Sequence, residues 1–333
     1  MKGTLQNEKN TDRLAELFRH ASARERPPAD DELTIRQALH TQWSHMTRQR
    51  KRRKTMITLA AAASAVIAVM VGIRMPPVSD SAPSLTQLAA VEKTLGMVQI
   101  TSSDGSLQRP DSATALMSGQ QIVTSSDSRM ALRWLNGESI RLDENTELIL
   151  NSSDEISLQA GQIYLDTGQA EANRELTVST PAGRVRHLGT RYMTTVSGDV
   201  TSVSVREGQV SVEVKGVETV ADQGVRLTVD TAGASSLGSV SSYGPMWQWT
   251  EELAPAFSSG GRSMLQFLDW VAHESGRVVE FASTEAERLA RDTDLRGRID
   301  MEPMRALEAI LLTSDLVAEV DAGTIVVRLR NGS

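Results

Sequence analysis

The 333-residue chain contains no cysteine. Disulfide scaffolds, thiol nucleophiles and zinc–thiolate sites are thereby excluded, although the absence names no compartment. Aromatic residues make up only 4% of the chain, so its cores are expected to be small and aliphatic. His20, His40, His45, His187 and His273 stand singly. None is paired at metal-ligand spacing, and His40 and His45, at i and i+5, lie on different faces of a helix; all five are expected to be ordinary side chains. A phosphate-cradling glycine loop ending in Lys-Ser/Thr is missing, as are a strand-then-GxGxxG, an HExxH and an EF-hand loop. Acidic residues are plentiful but scattered. No conventional enzyme, cofactor or metal site is expected.

Long runs that are both uncharged and predominantly apolar are absent apart from one, Thr55 to Ile73 (TMITLAAAASAVIAVMVGI). As a helix it would be roughly 28 Å long, close to the roughly 30 Å hydrocarbon core of a bilayer. Arg48, Arg50, Lys51, Arg52, Arg53 and Lys54 precede it, whereas Arg74 on the other side is followed by no base until Lys93. The positive-inside bias therefore predicts a single-pass protein with its N-terminus in the cytoplasm and its C-terminus outside. Residues 1–54 carry 13 Lys+Arg against 7 Asp+Glu, a net of +6 in a chain of net −7, which leaves −13 for the rest. An acidic outer part argues against nucleic-acid binding there, and a basic block touching the bilayer is explained by topology and anionic lipid.

In the arm before this run, Leu14, Leu17, Phe18 and Ala21 repeat at helical spacing until Pro27 and Pro28. A second helix is predicted with Ile35, Leu39, Trp43 and Met46 on one face. Some fifty residues lie near the lower limit for an independent core. The two apolar faces therefore suit a groove-binding clamp on a cytoplasmic partner, with mutual packing of the helices as the alternative.

Beyond the run, residues 74–94 are proline-, serine- and alanine-containing and aperiodic, the pattern of a stalk. Over 95–230 the hydrophobic period becomes two, as in Ile140/Leu142, Ile156/Leu158, Ile163/Leu165, Val203/Val205 and Val210/Val212/Val214. Turn signals such as Asn136-Gly137, Ala160-Gly161 and Glu207-Gly208 punctuate it. Many short strands at this spacing predict an all-β sandwich, roll or solenoid. Residues 231–252 begin Gly/Ser-rich and are expected to be a linker. Residues 253–330 return to mixed signals: a helix capped near Ser263 and ending at Gly276, a strand Val278 to Phe281, a helix begun by Pro303, and a hairpin turning at Asp321-Ala322-Gly323. This is a small α+β module with two helix-then-strand halves. The chain as a whole is a mixed multidomain protein: helical arm, transmembrane helix, all-β domain and α+β domain.

The segments Leu176-Thr-Val-Ser-Thr-Pro-Ala-Gly183, His187-Leu-Gly-Thr-Arg-Tyr192 and Val203-Ser-Val-Arg-Glu-Gly-Gln-Val210 resemble three consecutive strands of the FecR family of transmembrane anti-sigma factors, with Tyr192 in place of a usual phenylalanine. Around Trp247, and from Asp294 through Ile310, the chain is similar to the secretin and TonB short N-terminal (STN) module. The resemblance covers about residues 95–330, whereas the arm matches in position and helicity alone. It implies an inner-membrane regulator whose arm, through Leu14, Leu17, Phe18, Leu39 and Trp43, binds an extracytoplasmic-function sigma factor, and whose periplasmic part receives a signal, with an outer-membrane receptor or other envelope protein as a partner. Some members of the family cleave themselves at a Gly-Thr bond, which puts Gly189-Thr190 forward as a self-cleavage site; a plain glycine turn is the alternative. Two rivals stand beside this reading. One is an envelope scaffold docking a secretin or TonB-dependent receptor without sigma binding. The other is a membrane-tethered DNA-binding regulator, which six bases held against the bilayer and the lack of a recognition helix disfavour.

Overall fold

The computed structural model describes residues 86–168, 176–187 and 189–330, all within one compact unit spanning Ser81–Ser333. The arm with Leu14, Leu17, Phe18, Leu39 and Trp43, the Thr55–Ile73 run and most of the expected stalk lie outside the described residues. Among the described residues no helix is long and apolar enough to cross a membrane.

The first part is all β. Its strands are β1 (Gln87–Leu95), β2 (Val98–Thr101), β3 (Leu107–Gln108), β4 (Ala115–Met117), β5 (Gln121–Thr124), β6 (Arg129–Trp134), β7 (Ser139–Leu142), β8 (Glu147–Ser152) and β9 (Glu155–Asp166). There follow β10 (Thr177–Ser179), β11 (Arg184–His187), β12 (Arg191–Ser197), β13 (Val200–Glu207), β14 (Gln209–Val214), β15 (Val217–Asp222), β16 (Val225–Asp230) and β17 (Ser235–Ser239). They form two sheets that share β9. One runs β4-β1-β6-β7-β9-β12-β13-β16-β17; the other runs β3-β2-β5-β8-β9-β10-β11-β14-β15. Among the described residues of this domain, only the β9–β10 pairing is parallel.

The Ala160-Gly161 pair, expected to be a turn, instead lies where β9 passes from one sheet to the other. Gly161 has φ +88, and a Cβ there would lie 2.4 Å from Thr146 Cα, so the strand bends across its neighbour without breaking. The inward members of the alternating pairs fill the space between the sheets. Leu132, Ile140, Ile163, Leu165 and Val205 from one sheet and Ile122, Leu148, Ile156, Leu158 and Val210 from the other are all fully buried. Each contributes roughly 1.5–3 kcal/mol of transfer free energy, before entropy is counted.

Both expected borders of this domain move outward. The stalk was expected to run to residue 94, yet β1 starts at Gln87 and Leu88, Ala89 and Val91 join the core. The expected linker at 231–252 is structured throughout. Its serine-rich start is the edge strand β17, paired with β16 in the register Leu227↔Leu237. Every residue of β17 is exposed, so its strand character comes from the ladder and leaves no apolar alternation to detect. A 3-10 turn, Pro245–Trp247, and a short helix α1 (Gln248–Glu252) follow.

The C-terminal part is a small α+β module: β18 (Phe257–Ser258), α2 (Met264–Ser275), β19 (Val278–Phe281), α3 (Thr284–Asp292), β20 (Arg298–Ile299), α4 (Pro303–Leu311), β21 (Leu316–Asp321) and β22 (Thr324–Leu329). Ser263 and Gln266 form a reciprocal capping box at the start of α2, and the helix ends at Gly276 in the left-handed region, as the sequence indicates. Helix α3 departs from the expected two-part pattern. Only Ala286 and Ala290 are buried along TEAERLARD, too small a stripe to stand out among its charges, and Ser283 caps it. Strands β19, β22 and β21 make a three-stranded sheet covered by the helices, around Phe267, Leu268, Val271, Ala306, Leu307, Ile325 and Val327.

The two parts meet across the outer face of the first sheet. Ala131 of β6, Tyr164 of β9 and Met193 of β12 are buried against Trp247, Trp249 and Leu253. That sheet thus has apolar contacts on both faces in its middle strands.

Candidate functional site

Gly189 and Thr190 form the turn between β11 and β12. Gly189 is exposed and takes φ +64, a conformation open to glycine at little steric cost. Thr190 is 2% exposed, and its hydroxyl has no hydrogen-bond partner among the described residues. An idle buried hydroxyl is costly, typically about 1–3 kcal/mol, so its presence beside this peptide is a feature to be explained. The peptide is held from two sides. On one, Thr167, just past the end of β9, donates its N–H and its hydroxyl to the Thr190 carbonyl at 3.1 and 2.9 Å, and its Oγ1 accepts the Thr190 N–H at 2.7 Å. On the other, Gly208 in the β13–β14 turn brings bare backbone against the peptide. A Cβ at Gly208 would lie 2.5 Å from Thr190 Cγ2 and 2.6 Å from the Gly189 oxygen.

A second buried polar group lies next along the same strands. His187 Nε2 accepts the Leu176 N–H at 3.3 Å and lies 3.3 Å from Oε1 of Glu138, which is fully buried. One ring nitrogen cannot accept from one neighbour and donate to the other at once, and both carboxylate oxygens of Glu138 and Nδ1 of His187 have no hydrogen-bond partner among the described residues. The Tyr192 ring lies 6.0 Å from that of His187, and burial, with the charge of Glu138, pushes its hydroxyl pKa well up.

A third group seals the junction with the C-terminal module. Arg141 of β7 and Glu274 of α2 form a 2.8 Å ion pair at 1% and 5% side-chain exposure, and Arg141 also donates to the Thr250 carbonyl at 2.8 Å. Arg206 of β13 donates Nε–H to the Ser242 carbonyl at 2.6 Å and lies over the Trp247 ring at 5.0 Å. His273 Nε2 is 2.6 Å from Asp166 Oδ2, while Arg191 joins the His273 carbonyl to Glu207. Burial pushes the Asp166 carboxyl up, but the hydrogen bond and charge of His273, the Gly168 N–H and Arg141 together hold it at about 2. Beside this group opens a cleft of about 570 Å³, walled by Arg133, Asp166, Phe257, Arg262, Trp270 and His273. Among the described residues no three His, Asp or Glu side chains are grouped to hold a metal.

The sequence singled out Gly189 and Thr190, and they form one turn; the five arm residues cannot be related to it because they lie outside the described residues. Thr167, Glu138, Arg141, Asp166, Arg206 and Glu274 went unnoticed. For Arg141 a signal existed: it sits between Ile140 and Leu142, where alternation assigns it to an outer face that only a second layer can bury.

Residues 120–211, from the end of the β4–β5 turn into β14 and including the Gly189–Thr190 turn, match the family described as FecR protein. Two crystal structures of a candidate anti-sigma factor from Parabacteroides distasonis are similar at 14% identity, covering 63% and 62% of this chain and 98% and 97% of those chains, each with a TM-score of 0.34. A cell surface anchoring domain is similar over 20% of this chain and 87% of its own, at 12% identity and a TM-score of 0.19. No curated protein matches the chain. Residues 120–211 are thus a FecR-family domain, set in a β domain that extends beyond them on both sides and is followed by a small α+β module.

Proposed function

We propose that this chain is a membrane-spanning anti-sigma factor. Its arm binds an extracytoplasmic-function sigma factor in the cytoplasm, Thr55–Ile73 spans the inner membrane, and the described β domain and α+β module receive a signal in the periplasm. The observation that carries the reading is the FecR-family domain at 120–211. The charge asymmetry around the uncharged run and the two amphipathic stripes in the arm support it. On this reading the α+β module is STN-like and meets an outer-membrane receptor. Leu14, Leu17, Phe18, Leu39 and Trp43 face the sigma factor, and no cofactor or nucleic acid is engaged. The test is co-purification of the full chain in detergent with the sigma factors of its source. Saturable binding weakened by Trp43→Ala supports it, whereas no binding leaves an envelope scaffold as the better account.

The turn at Gly189-Thr190 favours a second activity, self-cleavage of that peptide bond. A left-handed glycine, a buried hydroxyl free of partners and packing from both sides support attack by Thr190 Oγ1 on the Gly189 carbonyl. Two fragments on a denaturing gel that merge into one band in Thr190→Ala are the expected result. An intact wild-type chain would leave a simple glycine turn.

A further inference from the structure

We infer that Thr167 is a catalytic residue of this self-cleavage, supplying the proton to the departing amine; the inference rests on the reading of Gly189-Thr190 as the cleaved bond. In an antiparallel ladder two hydrogen-bonded residues exchange both backbone N–H···O bonds. The register Arg191↔Asp166 places Thr190 opposite Thr167 as the next pair. That pair exchanges only one such bond, from the Thr167 N–H to the Thr190 carbonyl. The other goes astray: the Thr190 N–H turns to the Thr167 hydroxyl at 2.7 Å. A hydroxyl therefore occupies the place of a ladder carbonyl, against the nitrogen of the bond to be broken.

The difference matters because a carbonyl can only accept, whereas a hydroxyl both accepts and donates. In the resting turn Oγ1 of Thr167 accepts from the amide. When Thr190 Oγ1 bonds to the Gly189 carbonyl carbon, the nitrogen becomes pyramidal and basic and needs a proton to leave. The Thr167 hydroxyl is already in contact with it, 6% exposed and held by its second bond to the Thr190 carbonyl. Turning from the Thr190 carbonyl, it gives its proton to the nitrogen and regains one from water, which takes up the proton that the Thr190 hydroxyl loses as its oxygen bonds to carbon. The Gly189 C–N bond breaks, an ester links Gly189 to Thr190 Oγ1, and the Thr190 α-amine is free. Water then adds to the ester at the exposed Gly189, leaving a Gly189 carboxylate and restoring the Thr190 hydroxyl. No oxidant, metal or external nucleophile other than water enters.

The experiment is a chase of freshly synthesised full-length chain, tagged at both ends, with and without hydroxylamine, which captures the ester as a Gly189 hydroxamate. Thr167→Val and Thr167→Ala should form fragments and hydroxamate roughly 100-fold more slowly than wild type, the low end of what a positioned acid supplies. Thr167→Ser should restore most of the rate, and the melting temperatures of the folded variants should not track the rates. Hydroxyl-free variants that cleave within twofold of wild type, or a serine variant as slow as valine, would overturn the assignment to Thr167 while leaving the cleavage reading intact. A wild-type chain that stays whole would overturn both.

Discussion

Removing Glu274 tests whether the junction between the β domain and the α+β module is a sealed interface. Glu274→Ala leaves Arg141 in place at 1% exposure, with one hydrogen bond to the Thr250 carbonyl and without its ion-pair partner. Its Nε has no acceptor even in the intact protein. Burial opposes its charge, and Glu274, Tyr164 and Asp166 together more than offset that and raise its pKa. Stranding one member of a buried ion pair typically costs roughly 3–5 kcal/mol. Because the two residues belong to different layers, the loss should appear as undocking of the module and not as unfolding of the sheets. Native-state hydrogen exchange reports this directly: amides of α1 and α2 should lose about 100-fold or more of their protection, while those of β9 and β12 keep theirs. Arg141→Met combined with Glu274→Leu should recover most of the loss, since apolar replacement of a buried pair is often neutral or better. A loss below about tenfold in Glu274→Ala, or equal loss in β9, would refute the picture of a desolvated, separable junction.

Three further outcomes follow from the same geometry. Asp166 has a folded pKa of about 2, below its ordinary value, so its pairing with His273 stabilises the protein above about pH 4 and that contribution disappears as pH falls through about 2. With His273 42% exposed the effect is discounted to about 1 kcal/mol, and Asp166→Asn should flatten the pH dependence of melting in that window. Gly208→Ala combines φ +78 with a Cβ 2.5 Å from Thr190 Cγ2, so it should cost more than about 1 kcal/mol in chemical denaturation and displace the Gly189–Thr190 peptide. Trp247→Ala empties a fully buried site between Tyr164 and Arg206 and should cost about 3–5 kcal/mol, read as module undocking by the same exchange measurement.

Strands with one buried face were legible because the pleat forces a period of two, and Ile156/Leu158 and Val210/Val212/Val214 declare it. Capping chemistry at Ser263, Gly276 and Pro303 located two helices of the module for equally local reasons. What could not be read is whatever depends on a second layer. Arg141 and Arg206 occupy positions that alternation gives to solvent, and they are buried only because Trp247, Trp249 and α2 cover that face. Strand β17 carries no apolar alternation because its ladder alone defines it, and α3 buries only two alanines. At the candidate site the Gly-Thr pair was visible as a motif. Thr167, 23 residues away in sequence, comes to it through the β9–β12 register, which no local pattern encodes.

The central claim is that the arm holds a sigma factor. Titration of the detergent-solubilised full chain with an extracytoplasmic-function sigma factor of its source tests this most directly. Saturable binding that Trp43→Ala weakens at least tenfold, with the protein still inserted and its β domain folded, is the predicted result. Absence of binding to that factor and to every other sigma factor of the source would contradict the account and make a docking role in the envelope the leading one.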